Sequence, residues 1–313
     1  MAKSEHSSKL INGLKFVSLS KAEYCSIANN LITAFTDDIC MGFFIEENLN
    51  VHAHIKKLQQ SLLKAIGQTT ITQLELTKLH VNSGELQVYI NCNAQIEHAK
   101  PDEKKIELNE NFVKAIHTLL PLVSLHGNHI SEKTMLANKQ SLFATNRFII
   151  VEYYHGIELP YLNISKKFCD LIIKAKKDAK YLGFSENSVT VYFVDDSWIM
   201  GRISKEEWFN PYSVIESKGN FQPISDEFKA ALRSVPGFSD TGLAYCAKGC
   251  LQSHPDGKDG AFYPVPGLPE GAKYGVKDLA FLYKNGNEIC FDNPKVLYFY
   301  GENLRGAISS RME

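Results

Sequence analysis

The chain has 313 residues, of which 44% are hydrophobic, enough for two or three domains with cores of their own. Lys plus Arg number 34 and Asp plus Glu 35, so the net charge of −1 excludes a uniformly basic protein, and any nucleic-acid surface must come from local segregation of charge. Seven cysteines without a framework spacing and the opening MAKSEHSSKL predict a cytoplasmic protein, and no apolar run reaches the roughly 20 residues of a membrane helix.

Residues 1–104 are predicted to form the first domain. A weak helix over residues 7–18 precedes the strands EYCSI, LITAFTD and MGFFIE, and a helix over residues 53–66 precedes the strands TITQLEL, KLHV and ELQVYINC. The polar segment HAKPDEKK, residues 98–105, contains a proline and is typical of a linker, so it sets the first boundary.

Residues 105–218 are predicted to repeat this plan as a second domain. A helix over residues 109–120 is followed by the strands TMLA and SLFATNRFIIVEYY, then by a turn and a helix that Ser165 caps. In that helix Phe168, Leu171 and Ile172 recur at helical spacing and predict a buried face. The strands VTVYFV and WIMGRIS complete the domain.

Residues 219–313 are predicted to form the third domain. It opens with a helix over residues 225–235, continues through the Gly- and Pro-rich turns of HPDGKDGAFYPVPGLPEG, and ends in the strands NEICF, KVLYFY and GAISSRM. The segment GVKDLAFLYKNG is a poorer helix candidate because it lacks a clean apolar stripe.

Four predicted helices begin with one pattern, in which an apolar residue, a cap and two further residues precede a large apolar residue. The pattern starts at Val51, Leu108, Ile164 and Ile224, so the intervals are 57, 56 and 60 residues. A fixed period of this length predicts a chain built from repeated units, each of one helix with strands.

Basic side chains fall on the polar faces of these helices, whereas many acids lie in turns and at strand ends. On a single helix such residues are typical of a solvated surface, but repetition in a neutral chain favours contact with a phosphate backbone without base readout. The predicted DNA-contacting residues are Lys57, Lys64, Lys114, Lys166, Lys167, Lys174, Lys177, Lys229 and Arg233.

Signatures of metal binding and catalysis are weak or missing. Cys246, Cys250 and His254 are spaced by four, but a fourth zinc ligand is not close in sequence, and residues 256–260 are more typical of a turn than of a calcium loop. The chain contains no P-loop, GxGxxG, GxSxG or HExxH motif. We therefore predict no catalytic residue, no metal and no cofactor.

Two passages resemble the bacterial β-type DNA sliding clamp, the processivity factor of replicative polymerases. Ala144-Thr145-Asn146-Arg147-Phe148 is similar to the clamp pattern ATD-G-x-R-L, and Trp198 to Ile203 is similar to the strand before the "fP.y" segment, which here reads WFNPY. The Gly-x pair is missing, Asn146 replaces Asp, and the tail reads SSRME in place of a Met-Pro-Met-Arg-like ending. A divergent, phage-encoded clamp would show these features.

The resemblance implies an α+β DNA clamp fold with three domains, each of two βαβββ halves. Two subunits would join head to tail in a closed ring around duplex DNA, and the partners would be a DNA polymerase and a clamp loader in the cytoplasm, the host's if the protein is phage-encoded. It also implies a groove for partner peptides, lined by Thr145, Arg147, Phe148, Pro223 and Met312. Two alternatives stay open: a nucleic-acid-binding or scaffold protein that never closes a ring, and Phe148 as an ordinary core strand residue.

Overall fold

The computed structural model describes residues 4–66, 68–75, 77–93, 100–257 and 259–311. Within these ranges, no helix is long and apolar enough to cross a membrane. The helices are α1 Ser4–Ser18, α2 Ile55–Leu63, α3 Glu110–Leu119, α4 Ile130–Lys133, α5 Lys166–Ala175, α6 Tyr212–Ile215, α7 Asp226–Ser234 and α8 Val276–Asn285.

The strands account for much of the remaining chain. In chain order they are β1 Tyr24–Ala28, β2 Leu31–Phe35, β3 Ile39–Phe44, β4 Val51–His54, β5 Thr69–Glu75, β6 Lys78–Ser83, β7 Leu86–Asn93, β8 Ile106–Glu107, β9 Thr134–Thr145, β10 Ile149–Ser165, β11 Ala179–Phe184, β12 Ser188–Phe193, β13 Trp198–Arg202, β14 Gln222–Pro223, β15 Leu243–Ala247, β16 Cys250–Gln252, β17 Phe262–Pro264, β18 Lys273–Gly275, β19 Glu288–Asn293, β20 Val296–Gly301 and β21 Leu304–Ser309.

Contacts within the chain define two compact units. Unit 1 comprises Met1–Val113 and Lys167–Lys205, and unit 2 comprises Lys114–Lys166 and Glu206–Glu313. Unit 1 holds an eleven-stranded sheet of order β5-β6-β7-β4-β1-β2-β3-β13-β12-β11-β8. Unit 2 holds a six-stranded sheet, β14-β19-β20-β21-β10-β9, and a four-stranded sheet, β17-β16-β15-β18. Helices packed on antiparallel sheets confirm the predicted α+β class.

The apolar stripes of the helices form the cores, as the helical spacing predicted. In α5, Phe168, Leu171 and Ile172 are buried, and the helix begins directly after Ser165. In α1, a Cβ on Gly13 would lie 2.8 Å from Cδ1 of Ile32, so glycine there lets the helix pack closely on β2. Helix α2 spans Ile55–Leu63 and is shorter than the predicted range of residues 53–66. The side chain of His54 caps its start by accepting a hydrogen bond from the Lys57 N–H.

The repeat predicted from helix spacing is also present in the sheets. Six strands of unit 1, β2-β3-β13-β12-β11-β8, have the same order and pairing as β9-β10-β21-β20-β19-β14 of unit 2. The registers correspond strand by strand: Trp198 pairs with Gly42 and Tyr192, and Arg305 pairs with Glu152 and Tyr300. These paired positions of the six strands therefore correspond between the two sheets.

The stretch around the clamp-like motif differs from its prediction. The segment SLFATNRFIIVEYY, predicted as one strand, is divided between two strands, β9 and β10, which a turn at residues 146–148 joins. The residues predicted as a turn before Ser165 belong to β10. β10 continues to Ser165 through register shifts beyond Tyr154, and Gly156 has a φ of 82° at this irregularity. These bulges let β10 remain in the sheet over the residues for which the sequence predicted a turn.

The segment predicted to be the first linker is fixed to the sheet in its described part. The carboxylate of Asp102 accepts hydrogen bonds from Ser188 at 2.8 Å and Thr190 at 2.9 Å, and the Tyr192 hydroxyl donates to the Asp102 carbonyl. Residues 94–99 lie outside the described residues. The sheets also join strands of different predicted domains, β3 with β13 and β10 with β21, so the boundaries after residues 104 and 218 stay a prediction.

Candidate nucleic-acid interface and partner pocket

Six of the nine predicted DNA-contacting cations are exposed. They lie on the polar faces of four helices, because the opposite faces carry the buried apolar residues. The exposed residues are Lys57 of α2, Lys64 at its C-cap, Lys114 of α3, Lys174 of α5, and Lys229 and Arg233 of α7.

Lys166 and Lys167, at the start of α5, are half-buried and bound within the chain. The ammonium group of Lys166 donates to the Leu120 and Val123 carbonyls. Lys167 Nζ lies 2.6 Å from Asp38 Oδ1 and 3.1 Å from Thr36 Oγ1. A phosphate would have to compete with these partners for either lysine.

Lys177 was predicted to lie on the polar face of the helix, but the structure places it beyond the end of α5. α5 ends at Ala175, and Lys176 has a φ of 51°, so Lys177 turns away from the helical spacing. Its Nζ lies 4.2 Å and 4.6 Å from the ring centres of Phe16 and Phe43 and 2.5 Å from Asp195 Oδ2. This half-buried cation is therefore bound within unit 1, by contacts of a kind that stabilise a fold.

The sequence prediction missed two exposed cations on α8. Lys277 and Lys284 are the second and ninth residues of α8, the same places that Lys167 and Lys174 occupy in α5. They were missed because the segment lacked a clean apolar stripe, and the structure shows why: Asp278 occupies a buried position beside Leu279 and Leu282. The repeat of strand order around the two helices is the signal that could have found them.

The turn of the clamp-like motif is held by its own side chains. The Thr145 hydroxyl donates to the Ile149 carbonyl at 2.7 Å, and the Asn146 side-chain oxygen accepts from the N–H groups of Phe148 and Ile149, both at 3.0 Å. Arg147 has a φ of 83°, a conformation that costs a non-glycine residue free energy. Phe148 is therefore a turn residue, and its side chain is 36% exposed.

An ion pair fixes Arg147 on one side of the turn. Arg147 Nε lies 2.6 Å from Oε1 of Glu132, which is almost fully buried. Burial acts to raise the pKa of Glu132, but the hydrogen bond and charge of Arg147 and the N–H groups of Asn128 and His129 lower it overall. Glu132 is thus held ionised and holds Arg147 in place.

A second network joins the turn to the C-terminal segment. Buried Asp278 accepts a hydrogen bond from Asn146 Nδ2 at 2.7 Å through Oδ1 and from Arg311 at 3.3 Å through Oδ2. The guanidinium group of Arg311 lies 4.0 Å from the ring centre of Phe148. The Ser309 N–H donates to the Phe148 carbonyl at 2.7 Å. Sequence reasoning missed Asp278 and Arg311 because these contacts are distant along the chain.

The predicted pocket residues are brought together only in part. Thr145, Arg147 and Phe148 form one turn, and Met312 lies outside the described residues, although Arg311 before it contacts Phe148. Pro223 is on β14, four strands from β10 in the six-stranded sheet, about 19 Å away at the usual strand spacing. The structure does not place Pro223 beside this turn.

Comparison with known proteins identifies the architecture. No protein-family model and no curated protein matches the sequence. Solved structures do match. The DNA polymerase sliding clamp of Caulobacter crescentus superposes with a TM-score of 0.79 at 11% identity, over 98% of both chains. The sliding clamp of Pseudomonas aeruginosa with a ligand gives 0.78 at 11% identity, again over 98% of both chains.

The chain has the sliding-clamp fold. The Pseudomonas aeruginosa DnaN sliding clamp bound to griselimycin also matches, with a TM-score of 0.74 at 11% identity over 98% of both chains. Because the match covers nearly the whole chain, the clamp fold includes both units, and the fold that the motif resemblance implied is confirmed.

Proposed function

We propose that this protein is a DNA sliding clamp that encircles duplex DNA and tethers a DNA polymerase as a processivity factor. The observation that carries the proposal is the match to DNA polymerase sliding clamps over 98% of the chain at a TM-score of 0.79. The role needs no reaction, so we assign no catalytic residue, metal or cofactor.

The exposed cations support contact with the DNA backbone. Lys57, Lys114, Lys174, Lys229 and Arg233 lie on helices that recur along the chain and carry no base-reading motif. Phosphate contact of this kind is independent of sequence and weakens as salt increases. We extend the set to Lys277 and Lys284 of α8, and we propose that Lys177 stabilises unit 1.

Assembly and partners complete the proposal. Two chains would join head to tail in a closed ring, and a clamp loader would open it in the cytoplasm (the host's, for a phage-encoded protein). The polymerase would dock a peptide at the turn of Thr145, Arg147 and Phe148, and Met312, which lies outside the described residues, stays a proposed member of this pocket. We leave Pro223 out of this pocket because of its distance from the turn.

Retention on closed DNA tests the ring. Protein bound to nicked circular plasmid should stay bound through a high-salt wash and be released when a restriction enzyme linearises the plasmid, since a ring is linked to DNA topologically. Equal retention on both forms would indicate a nucleic-acid-binding protein that does not close, and no retention of loader-treated protein would indicate a scaffold.

Charge reversal tests the DNA-facing helices. Lys57→Glu with Lys174→Glu should reduce loading on DNA and make it more sensitive to salt, without loss of stability, because both side chains are exposed. Lys295→Glu is the matched control, since Lys295 is exposed in the turn between β19 and β20 and not on a repeating helix. Equal loss in both variants would contradict the assignment of the helices.

A test of the partner pocket requires a variant that does not destabilise the fold. Arg147→Ala would leave buried Glu132 without its guanidinium partner, so Phe148→Ala is the better test. It should abolish stimulation of the polymerase but leave retention on circular DNA unchanged. Phe238→Ala, at another exposed phenylalanine, should keep both activities.

A further inference from the structure

Helix α8 differs from its counterpart α5 at two neighbouring positions. The residue before the helix is Ser165 at α5 and Gly275 at α8, and the third helical residue is Phe168 in α5 and Asp278 in α8. Phe168 is buried against Gly201 of β13. Helix α8 therefore lacks both a capping side chain and an apolar core residue at its start.

Both differences act against the stability of α8. Glycine supplies no side-chain oxygen to the first N–H groups of a helix, and a carboxylate inside a protein needs hydrogen bonds that replace its water. Residues that depart from the local rules of stability are expected at functional positions. Asp278 is 1% exposed, so any function that it has must act through the residues that it holds.

The carboxylate of Asp278 joins the turn of the clamp-like motif to the C-terminal segment. Oδ1 accepts from Asn146 Nδ2 at 2.7 Å, and Oδ2 lies 3.3 Å from Nη2 of Arg311. Nε of Arg311 has no hydrogen-bond partner among the described residues, so this guanidinium group is held by Asp278 and by the ring of Phe148. Loss of the carboxylate would release the turn and the C-terminal segment together.

Gly275 makes room for this ion pair. A Cβ at Gly275 would lie 2.4 Å from Oδ2 of Asp278 and 2.4 Å from Nη2 of Arg311. A serine like the one before α5 could not occupy this position unless the two charged groups moved apart. The missing cap and the buried carboxylate are therefore parts of one arrangement that holds Arg311.

The same carboxylate explains the amide in the clamp-like motif. The pattern ATD-G-x-R-L has Asp where this chain has Asn146. A carboxylate there would face buried Asp278 at hydrogen-bond distance, where two negative charges repel each other. Asn146 instead donates to Asp278, while its side-chain oxygen accepts from the N–H groups of Phe148 and Ile149. Asn146 and Asp278 thus form a matched pair.

We propose that Asp278 is the positioning residue of the partner pocket, an inference that rests on the proposed function. Through Asn146 it fixes the turn that carries Phe148, and through Arg311 it fixes the C-terminal segment beside the ring of Phe148. The buried carboxylate does not touch the partner. It sets the spacing of the two walls between which the polymerase peptide binds.

Transposing the two side chains tests the pair. In Asp278→Asn, a single amide oxygen serves Asn146 or Arg311 but not both, and in Asn146→Asp two carboxylates face each other. The double variant, Asn146→Asp with Asp278→Asn, restores every hydrogen bond. The new carboxylate accepts from the turn N–H groups and from the new amide, and the oxygen of that amide accepts from Arg311.

Two measurements follow the effect of these changes. Binding of the full-length cognate DNA polymerase should be about tenfold weaker in each single variant and within about threefold of the wild type in the double variant. Hydrogen exchange at the amides of Phe148, Ile149 and Ser309 should be faster in each single variant and return to the wild-type rate in the double variant. Retention on nicked circular DNA should not change.

Glu152→Gln is the matched control. Glu152 is also a buried carboxylate of unit 2 with two partners, Ser141 at 2.7 Å and Arg305 at 2.5 Å, but it lies outside the turn. Its replacement should lower the free energy of unfolding and keep both polymerase binding and slow exchange at the turn. An equal loss of binding in Glu152→Gln, or a double variant as weak as the single variants, would overturn the inference, because lost stability would then explain the effect.

The two measurements also separate this inference from the proposed function. If exchange follows the expected pattern but the wild type does not bind the polymerase, the proposed function fails, although Asp278 still positions the turn and the C-terminal segment. If the wild type binds the polymerase and is retained on circular DNA, but the single variants bind equally well, the positioning role alone is wrong, whether or not exchange at the turn changes.

Discussion

His155, in β10, is a buried residue whose ionisation should limit stability in acid. It is 1% exposed, and its Nδ1 accepts a hydrogen bond from the Ile157 N–H at 3.1 Å. Burial lowers the pKa of His155 from 6.5 to about 4, although a hydrogen bond with the Ser141 backbone acts to raise it. The unfolded chain therefore binds a proton between these values that the folded chain does not.

We expect the contribution of neutral His155 to be complete above pH 6.5 and to be lost as the pH falls toward 4. The loss amounts to about 3 kcal/mol of unfolding free energy. Chemical denaturation at a series of pH values should show it as a difference between the wild type and His155→Gln. His126→Gln, at an exposed histidine, should keep the wild-type profile, and identical profiles for all three would contradict the prediction.

We expect the side chain of Lys177 to contribute to the free energy of unfolding. Burial acts to raise the pKa of Asp195, but hydrogen bonds from Lys177 and Ser197 and the charge of Lys177 lower it overall. Lys177→Glu would place a carboxylate beside Asp195 and remove the cation over Phe16 and Phe43. We expect a loss of about 1 to 2 kcal/mol, because Asp195 is 46% exposed and its charge is partly screened.

Lys174→Glu is the control for Lys177, because Lys174 is exposed on the same helix. It should change stability by less than about 0.5 kcal/mol. Thermal unfolding of both variants checks the contrast. If Lys177→Glu is as stable as the wild type, then its ring contacts do not stabilise the protein.

At the scale of elements, Asp102 should determine whether β8 stays on the sheet. β8 has two residues, and its pairing with β11 is reinforced by the hydrogen bonds of Asp102 to Ser188 and Thr190. Asp102→Ala should lower the unfolding free energy by about 2 to 3 kcal/mol, since hydrogen bonds to a carboxylate exceed neutral ones in strength.

Hydrogen exchange gives a local measurement of the same change. Amides of residues 105–108 should exchange faster in Asp102→Ala, because Lys105 and Leu108 donate to carbonyls of β11. Glu103→Ala, at the adjacent exposed acid, should leave them protected. Unchanged protection in Asp102→Ala would show that the backbone ladder holds β8 without this side chain.

At the scale of the whole molecule, exposed apolar residues beside the edge strand β5 should contribute to assembly. Ile66 is 87% exposed and Leu74 49% exposed, and β5 is the last strand of the eleven-stranded sheet. An open edge with large apolar side chains is typical of a surface that a second chain covers.

We therefore expect a homodimer that depends on this edge. Light scattering should give the mass of two chains for the wild type and of one chain for Ile66→Lys with Leu74→Lys. Val194→Lys, at another exposed apolar residue of unit 1, should remain dimeric. A monomeric wild type at micromolar concentration would count against a ring, and a dimer that survives the double change would place the interface elsewhere.

Local sequence patterns determined the helices and their repetition. The stripe of Phe168, Leu171 and Ile172 and the starts at Val51, Leu108, Ile164 and Ile224 follow from a few neighbouring residues, because a helix is specified by spacing and caps that lie within it. The motif at Thr145 was recognised by its resemblance to the clamp pattern, but its turn was missed because the sequence predicted one continuous strand there. These helices and the clamp fold could be predicted from the amino-acid sequence alone.

Only the tertiary structure decided what each charged side chain contacts. Lys167 and Lys174 look alike in the sequence, yet Lys167 binds Asp38, 129 residues away, and Lys174 is exposed. Asp278 is buried beneath Asn146, 132 residues away, in a segment whose pattern gave little sign of a helix. Such pairs form only when distant parts of the chain meet in the folded protein. They therefore depend on strand order and register, which no local sequence pattern encodes.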